Sequence, residues 1–305
     1  MSAFAERPIG RTADVLNSLL ALFKDPHYLE IGVDSGVTFF AIEAARKVAV
    51  DPKFRFSVDE RQSEHRNAQF HEVESDVYFG QIIGKNDRFD VIYLDGLHTA
   101  DQTLRDFCNA IEYLNDDGVI VIDDIAPTFY HTSLPDRTMA NQVRDAIGSA
   151  SGADWMGDVY RLVFFIQSFF QQYRYATVML GKYGQLVVWK EKRQRNLLAP
   201  RGIGAVGTLP FEKTITEVGA YNKLPFPTIL ELIWRNRTRN AASSDQDGGP
   251  AKQASAPMPR YQPPRERGRL KRAMKSFRVS VIRPIARWAT RLTSRTDGLG
   301  RDAGE

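Results

Sequence analysis

Apolar and polar positions between residues 28 and 123 follow two rhythms. Short runs dense in Val, Ile and Leu fall at 28–32, 48–51, 69–73, 89–94 and 119–123, spaced by more polar stretches. Runs of that length and composition are what strands buried on both faces of a parallel sheet look like. Ahead of them Val15, Leu16, Leu19, Leu20 and Phe23 predict a leading helix over 11–24, stopped by Asp25-Pro26. Helices are predicted from Val37 to Arg46 and over 100–114, with a turn at Asp116-Asp117-Gly118. This βαβ alternation implies a parallel sheet with helices on both faces.

After Asp124 the pattern changes. Residues 126–137 hold two prolines and several polar side chains and predict a loop over the sheet's rim, followed by helices near 138–149 and 158–171. Tyr175 to Leu180 and Gln185 to Lys190 read as strands joined by Gly181-Lys182-Tyr183-Gly184, an antiparallel hairpin. A C-terminal extension over 193–239 contains a short apolar helix around Ile229–Trp234. Residues 240–264 turn to Ala, Ser, Gln, Gly and Pro, the composition of a disordered linker.

Four of the apolar runs end on acids: Glu30, Asp51, Asp95 and the pair Asp123-Asp124. Ligands of open α/β sheets bind outside the carboxyl ends of the strands. These acids therefore line one rim, suited to ribose hydroxyls, a cationic ligand or a divalent metal. After the first run, Gly32 allows a sharp turn and leaves room for a ligand, and Gly36 allows close packing where a helix would start. Asp51 lies about twenty residues beyond Gly32, where a carboxylate can accept both ribose hydroxyls. Glu30 stands where a dinucleotide fingerprint has its first glycine. A negative charge there repels phosphate and welcomes a cation, so a nicotinamide-dependent oxidoreductase fits poorly. The bland alternative is an ordinary strand-to-helix turn with a chance aspartate.

Glu30-x-Gly32-x-x-x-Gly36, followed by Val-Ala-Val-Asp51-Pro52, resembles the class I S-adenosylmethionine-dependent methyltransferases. The resemblance spans roughly residues 20–190 and places that domain at 25–192. It implies a Rossmann-like α/β sheet of seven strands, mostly parallel, with the antiparallel hairpin at its end. It also implies S-adenosylmethionine as cofactor, with Glu30, Gly32 and Gly36 at its methionine end and Asp51 on its ribose. Ser75 and Asp76 fall where such enzymes contact adenine.

Leu94-Asp95-Gly96-Leu97-His98 and Ile122-Asp123-Asp124 end neighbouring strands, so their carboxylates should converge. Acids that close raise one another's pKa unless a cation sits among them, and an all-oxygen set suits Mg²⁺, Mn²⁺ or Ca²⁺. The stretch resembles metal-dependent O-methyltransferases of the catechol and macrolide-sugar types, and most of all a small-molecule and sugar group. That resemblance implies Asp95, Asp123 and Asp124 as ligands of Mg²⁺ or another divalent cation. His98, on the rim, reads as general base or extra ligand, with Asp95 beside it; its bland reading is a helix cap. His131 in the rim loop is a second candidate base, and His27, His65 and His71 read as structural or exposed. Trp155-x-Gly157-Asp158-Val159 reads as a pocket wall or as helix capping by Asp158. No Asn/Asp-Pro-Pro-Tyr/Phe motif follows the 89–94 strand, which argues against amino-group methylation. The resemblance to the small-molecule and sugar group implies a hydroxyl of a sugar, glycan or other small molecule as the acceptor.

Composition changes this picture only at the edges. The 305 residues, 43% of them hydrophobic, suffice for a full core. The single Cys108 excludes an intrachain disulfide framework, suits a reducing compartment and lies within a predicted helix, away from nucleophilic use. Residues 1–11 carry no apolar signal-like core, and a cytoplasmic enzyme is expected. The formal net charge of +4 misleads, because residues 265–295 carry eleven Lys/Arg against one Glu. Leu270, Met274, Phe277, Val281, Ile285, Trp288 and Leu292 recur there at helical spacing, interrupted by Pro284. This basic tail, 265–305, reads as disordered or as an amphipathic segment for the anionic inner face of a membrane, with nucleic acid less favoured. An RNA methyltransferase guided by the tail and an inactive cofactor-binding scaffold are the alternative functions.

Overall fold

The computed structural model describes residues 11–149, 155–194 and 196–246. The basic tail and residues 247–264 of the expected linker lie outside them. The chain runs α1 (Thr12–Leu20), β1 (His27–Ile31), β2 (Arg46–Asp51), α2 (Val58–Glu64), β3 (Ala68–Glu72), the short α3 (Ser75–Val77), β4 (Phe89–Leu94), α4 (Ala100–Tyr113) and β5 (Leu114–Ile122). Then come α5 (Arg137–Ala146), α6 (Arg161–Phe169), the hairpin strands β6 (Tyr173–Leu180) and β7 (Tyr183–Lys190), two single-turn helices α7 (Ile203–Gly207) and α8 (Glu212–Thr216), and α9 (Phe226–Gln246). The seven strands form one sheet of order β3-β2-β1-β4-β5-β7-β6. β1 to β5 pair in parallel, and β7 inserts antiparallel between β5 and β6. This is the mixed sheet expected from the apolar runs.

Each central strand is apolar on both faces, which is why the runs read as continuous. Leu29, Ile31, Val48, Val50, Ile92, Leu94, Ile120 and Ile122 point to one side, under Phe107 and Ala110 of α4 and the apolar body of α6. Tyr28, Ala49, Val91, Tyr93, Val119 and Val121 point to the other, under α1 and Ile229, Leu230 and Ile233 of α9. The extension after residue 193 thus supplies part of the core: Val206, Leu209, Ala220 and Tyr221 pack with the first face, α9 with the second. No helix among the described residues is long and apolar enough to cross a membrane.

Three expectations are corrected. The helix predicted from Val37 to Arg46 is absent; that connection holds only a 3₁₀ turn, Phe39–Ala41. Distant side chains take the backbone groups that a helix would satisfy internally. Lys47 Nζ donates to the carbonyls of Phe39 (3.0 Å) and Ile42 (3.2 Å), and Asn17 of α1 bonds Ala41 O and Glu43 N, both at 2.9 Å. The turn at Asp116-Asp117-Gly118 is instead a bulge within β5: pairing steps from Phe89↔Leu114 to Val91↔Val119. The short helix around Ile229–Trp234 lies in the first half of α9, which continues to Gln246, into the segment read as linker.

Candidate active site

The carboxyl ends of the strands open into a cleft of about 1250 Å³. Its wall holds Glu30, Gly32, Asp51, Ser75, Asp76, Asp95, His98, Asp123 and Asp124. Gly36 lies beside it in the β1–β2 loop. Eight carboxylates line the wall (Glu30, Asp34, Asp51, Glu74, Asp76, Asp95, Asp123, Asp124) against the arginines Arg11, Arg55 and Arg137. A field of that sign favours a cationic ligand over a pyrophosphate.

The loop after β1 is shaped by its glycines and by Asp51. Gly32 has φ +86°, and a Cβ there would lie 2.0 Å from the Asp95 carbonyl oxygen. Its role is close contact with the end of β4, beyond the turn and the ligand space expected of it. Gly36, at φ +76°, lies against the Phe40 ring rather than at a helix start. Asp51 Oδ2 accepts from Val33 N (2.9 Å) and Asp34 N (2.8 Å), and Oδ1 from Lys53 N (2.7 Å). The acid at the end of β2 thus folds the glycine loop, and its remaining lone pairs face the cleft.

Glu30 is 1% exposed and accepts a 2.6 Å hydrogen bond from the Tyr28 hydroxyl, two residues earlier on the same face of β1. Burial pushes its pKa up to about 8, against the opposing pull of Tyr28 and Lys47. Ser75 and Asp76 open α3 and are tied to α4: Gln102 Nε2 donates to Ser75 Oγ (3.2 Å) and Asp76 Oδ1 (3.1 Å).

The second cluster sits where β4 and β5 end side by side. Asp95, His98 and Asp124 each offer one ligand atom, all within 4.8 Å of one another. Asp123 lines the same cleft but lies outside this cluster. Its Oδ2 accepts from the Tyr93 hydroxyl and from Gln185 Nε2 (3.0 Å), and its Oδ1 from Asp124 N (2.9 Å). That last bond holds Asp124 in a left-handed turn, φ 59°, and so aims its side chain. Burial, reinforced by the neighbouring acids, raises the pKa of both Asp95 and Asp123.

His98 is fixed from three sides. Its Nδ1 lies 2.8 Å from the Trp155 carbonyl and 2.8 Å from Asp124 Oδ2, and its ring stacks on Trp155 at 5.2 Å. Nε2 lies 3.8 Å from Asp95 Oδ1. Burial acts to lower the imidazole pKa, but Asp124 and the Trp155 carbonyl outweigh it and hold it above the ordinary value. The cap of α4 is Thr99, with Asp158 Oδ1 accepting from Ala100 N at 2.7 Å, so His98 is free of that duty. Both readings of the Trp155–Val159 segment hold: Trp155 is cleft wall, and Asp158 caps a helix, α4 rather than its own. His131 is buried against Phe129 and does not line the cleft.

Tyr28, Tyr93 and Gln185 were not read from the sequence. The tyrosines had a signal, since each lies two residues before a rim acid and so shares its face. Gln185 had none, because it meets Asp123 only through the insertion of β7.

Residues 29–125 match the family model described as a methyltransferase domain. No curated protein matches the chain significantly. Among solved structures, the chain is similar to the O-methyltransferase TomG of Streptomyces achromogenes, involved in tomaymycin synthesis and crystallised with S-adenosylmethionine. The two share 16% identity over 59% of this chain and 79% of that one, with a TM-score of 0.42. An O-methyltransferase of Bacillus cereus, solved with S-adenosylhomocysteine, shares 15% identity over 60% and 82%, TM-score 0.39. A ribosomal protein L11 methylase of Lactobacillus delbrueckii subsp. bulgaricus shares 13% over 59% and 77%, TM-score 0.35. What each of those proteins methylates belongs to that protein. The matched residues, 29–125, run from β1 to just past the end of β5, so the part of the chain similar to a methyltransferase domain is the parallel part of the sheet and the rim above it.

Proposed function

We propose that the protein is an O-methyltransferase acting on a hydroxyl of a sugar, glycan or other small molecule, with help from a divalent cation. The observation that carries this reading is the contact of Gly32 with the Asp95 carbonyl. A cofactor held by the β1 loop and Asp51 would present its methyl group beside Asp95, His98 and Asp124.

The residues fit each partner chemically. The acidic wall offsets the ammonium and sulfonium charges of S-adenosylmethionine, with Glu30 adding its charge when a bound cation draws off its proton, and Asp51 keeps lone pairs for ribose hydroxyls. Asp95 and Asp124 are the carboxylates that would hold a cation; burial first, and the neighbouring acids second, raise the pKa of Asp95, and a cation there would offset both. A bound cation would draw in the acceptor oxygen and acidify its hydroxyl. Asp123 stands behind the pair and orients Asp124. His98 gives Nδ1 to the Trp155 side, which leaves Nε2 to take the acceptor proton. Alignment of acceptor and methyl group then supplies most of the rate, on the order of 7–11 kcal/mol in well-oriented systems.

A second reading makes His98 a third ligand, favoured by its place in the 4.8 Å cluster. An imidazole in the set would move the preference from Mg²⁺ toward Mn²⁺ or another transition metal. Calorimetric titration with S-adenosylhomocysteine, with and without Mg²⁺ or Mn²⁺, tests the whole. Tight binding that survives Asp124→Ala, and cation-dependent turnover on catechol or sugar acceptors that is lost with it, are expected. Turnover unaffected by chelation refutes the cation's part, and no binding by wild type refutes the enzyme. His98→Asn separates the two readings: a base leaves cation affinity intact, a ligand does not.

A further inference from the structure

Among the described residues, one arginine of the cleft wall has no counter-charge. Arg11 pairs with Asp14 at 3.4 Å and Arg55 with Asp34 at 2.7 Å. Arg137 lines the same cleft and has no hydrogen bond or ion pair among the described residues. Its backbone is nevertheless fixed, since it is the first residue of α5, whose cap Asp136 accepts from Met139 N at 2.7 Å.

The position of Arg137 is tied to the acceptor side. Three residues before it, the Leu134 carbonyl accepts from Trp155 Nε1 at 2.7 Å, and Trp155 stacks on His98. The glycine loop and Asp51, by contrast, sit over β1 and β2, on the other side of β4 in the sheet order. An anion entering this acidic cleft meets three arginines, of which Arg11 and Arg55 are already paired with acids while Arg137, among the described residues, is unpaired. That group is also the side chain whose fork matches carboxylate and phosphate oxygens in pairs.

We propose that Arg137 binds an anionic group, a carboxylate or a phosphate, carried by the acceptor whose hydroxyl is methylated. The inference rests on the reading above, in which the acceptor lies against Asp95, His98 and Asp124. Arg137 is then a specificity residue: it selects acidic sugars or their phosphates over neutral ones, and it leaves the cofactor site alone.

The test uses the full chain loaded with S-adenosylhomocysteine and Mg²⁺, titrated with glucuronate, glucose 6-phosphate and glucose. One of the two anions should bind about ten- to a hundredfold more tightly than glucose, as a charge-assisted contact implies. Whether the winner is glucuronate or the phosphate names the group. Arg137→Gln should erase the preference and Arg137→Lys restore part of it, with S-adenosylhomocysteine affinity unchanged in both. Equal or undetectable binding of all three sugars, or a preference that survives Arg137→Gln, overturns the inference. Failure of S-adenosylhomocysteine to bind wild type in the same titration overturns the underlying methyltransferase reading first, so the two failures are told apart.

Discussion

Glu30 should make this protein less stable as pH rises through the neutral range, and Glu30→Gln should remove that effect. The carboxyl is 1% exposed, and its pKa moves from 4.5 to about 8, chiefly through burial. A group raised in the folded state favours folding fully while it is protonated in both states, below pH 4.5. That contribution is lost as pH climbs toward 8, where the folded protein must ionise a buried acid. A tenfold change in a carboxyl's acidity corresponds to about 1.4 kcal/mol, so the accumulated penalty above pH 8 is on the order of 5 kcal/mol. Glutamine keeps an oxygen for the Tyr28 hydroxyl and carries no charge. The loss of a counter-charge for Lys47 works against the gain and reduces it. Thermal unfolding of both proteins without cofactor, from pH 5 to 9, is the assay. The difference in midpoint should be small at pH 5 and grow toward pH 8 to on the order of 10 °C. The same variant should bind S-adenosylhomocysteine more weakly. A midpoint difference that does not change with pH refutes the buried-acid argument.

The other predictions concern the frame around the cleft. Asp51→Asn leaves one oxygen for three backbone N–H groups and should cost about 1–3 kcal/mol, with at least a tenfold loss of S-adenosylhomocysteine affinity by calorimetry; unchanged affinity would refute its role. Gly32→Ala forces a Cβ into the Asp95 carbonyl at a positive φ and should lower soluble yield and unfolding midpoint more than Gly36→Ala, whose obstacle is the Phe40 side chain. Lys47→Met removes the donor to two buried carbonyls and should cost about 2–4 kcal/mol. Hydrogen exchange should rise over 39–45, and an unchanged exchange pattern there would argue against the latch.

The strands were legible because their signal is local. A buried parallel strand needs Val and Ile in succession, and the carboxylate that ends each run marks the rim without reference to any neighbour. Glu30, Asp51, Asp95, His98 and Asp124 were reachable in this way, as was the antiparallel hairpin, whose strands begin two residues earlier than their apolar cores. The missing helix at 37–46 was not legible. Its residues allow a helix, and what prevents it is Lys47 and Asn17, which take the carbonyls from outside the segment. The length of α9 was equally hidden, since its polar second half gives no apolar period to follow.

The sequence by itself determined the sheet and the acidic rim, because periodicity and strand-end chemistry are properties of short stretches. Tertiary structure decided which rim acids converge with His98 and which are tied up by hydrogen bonds beside them. Asp123 meets Tyr93 because β4 and β5 pair in parallel and meets Gln185 because β7 enters the sheet beside β5, and His98 is aimed by a tryptophan 57 residues away. Side-chain direction at a site is set by partners distant in the chain, and no local pattern records them.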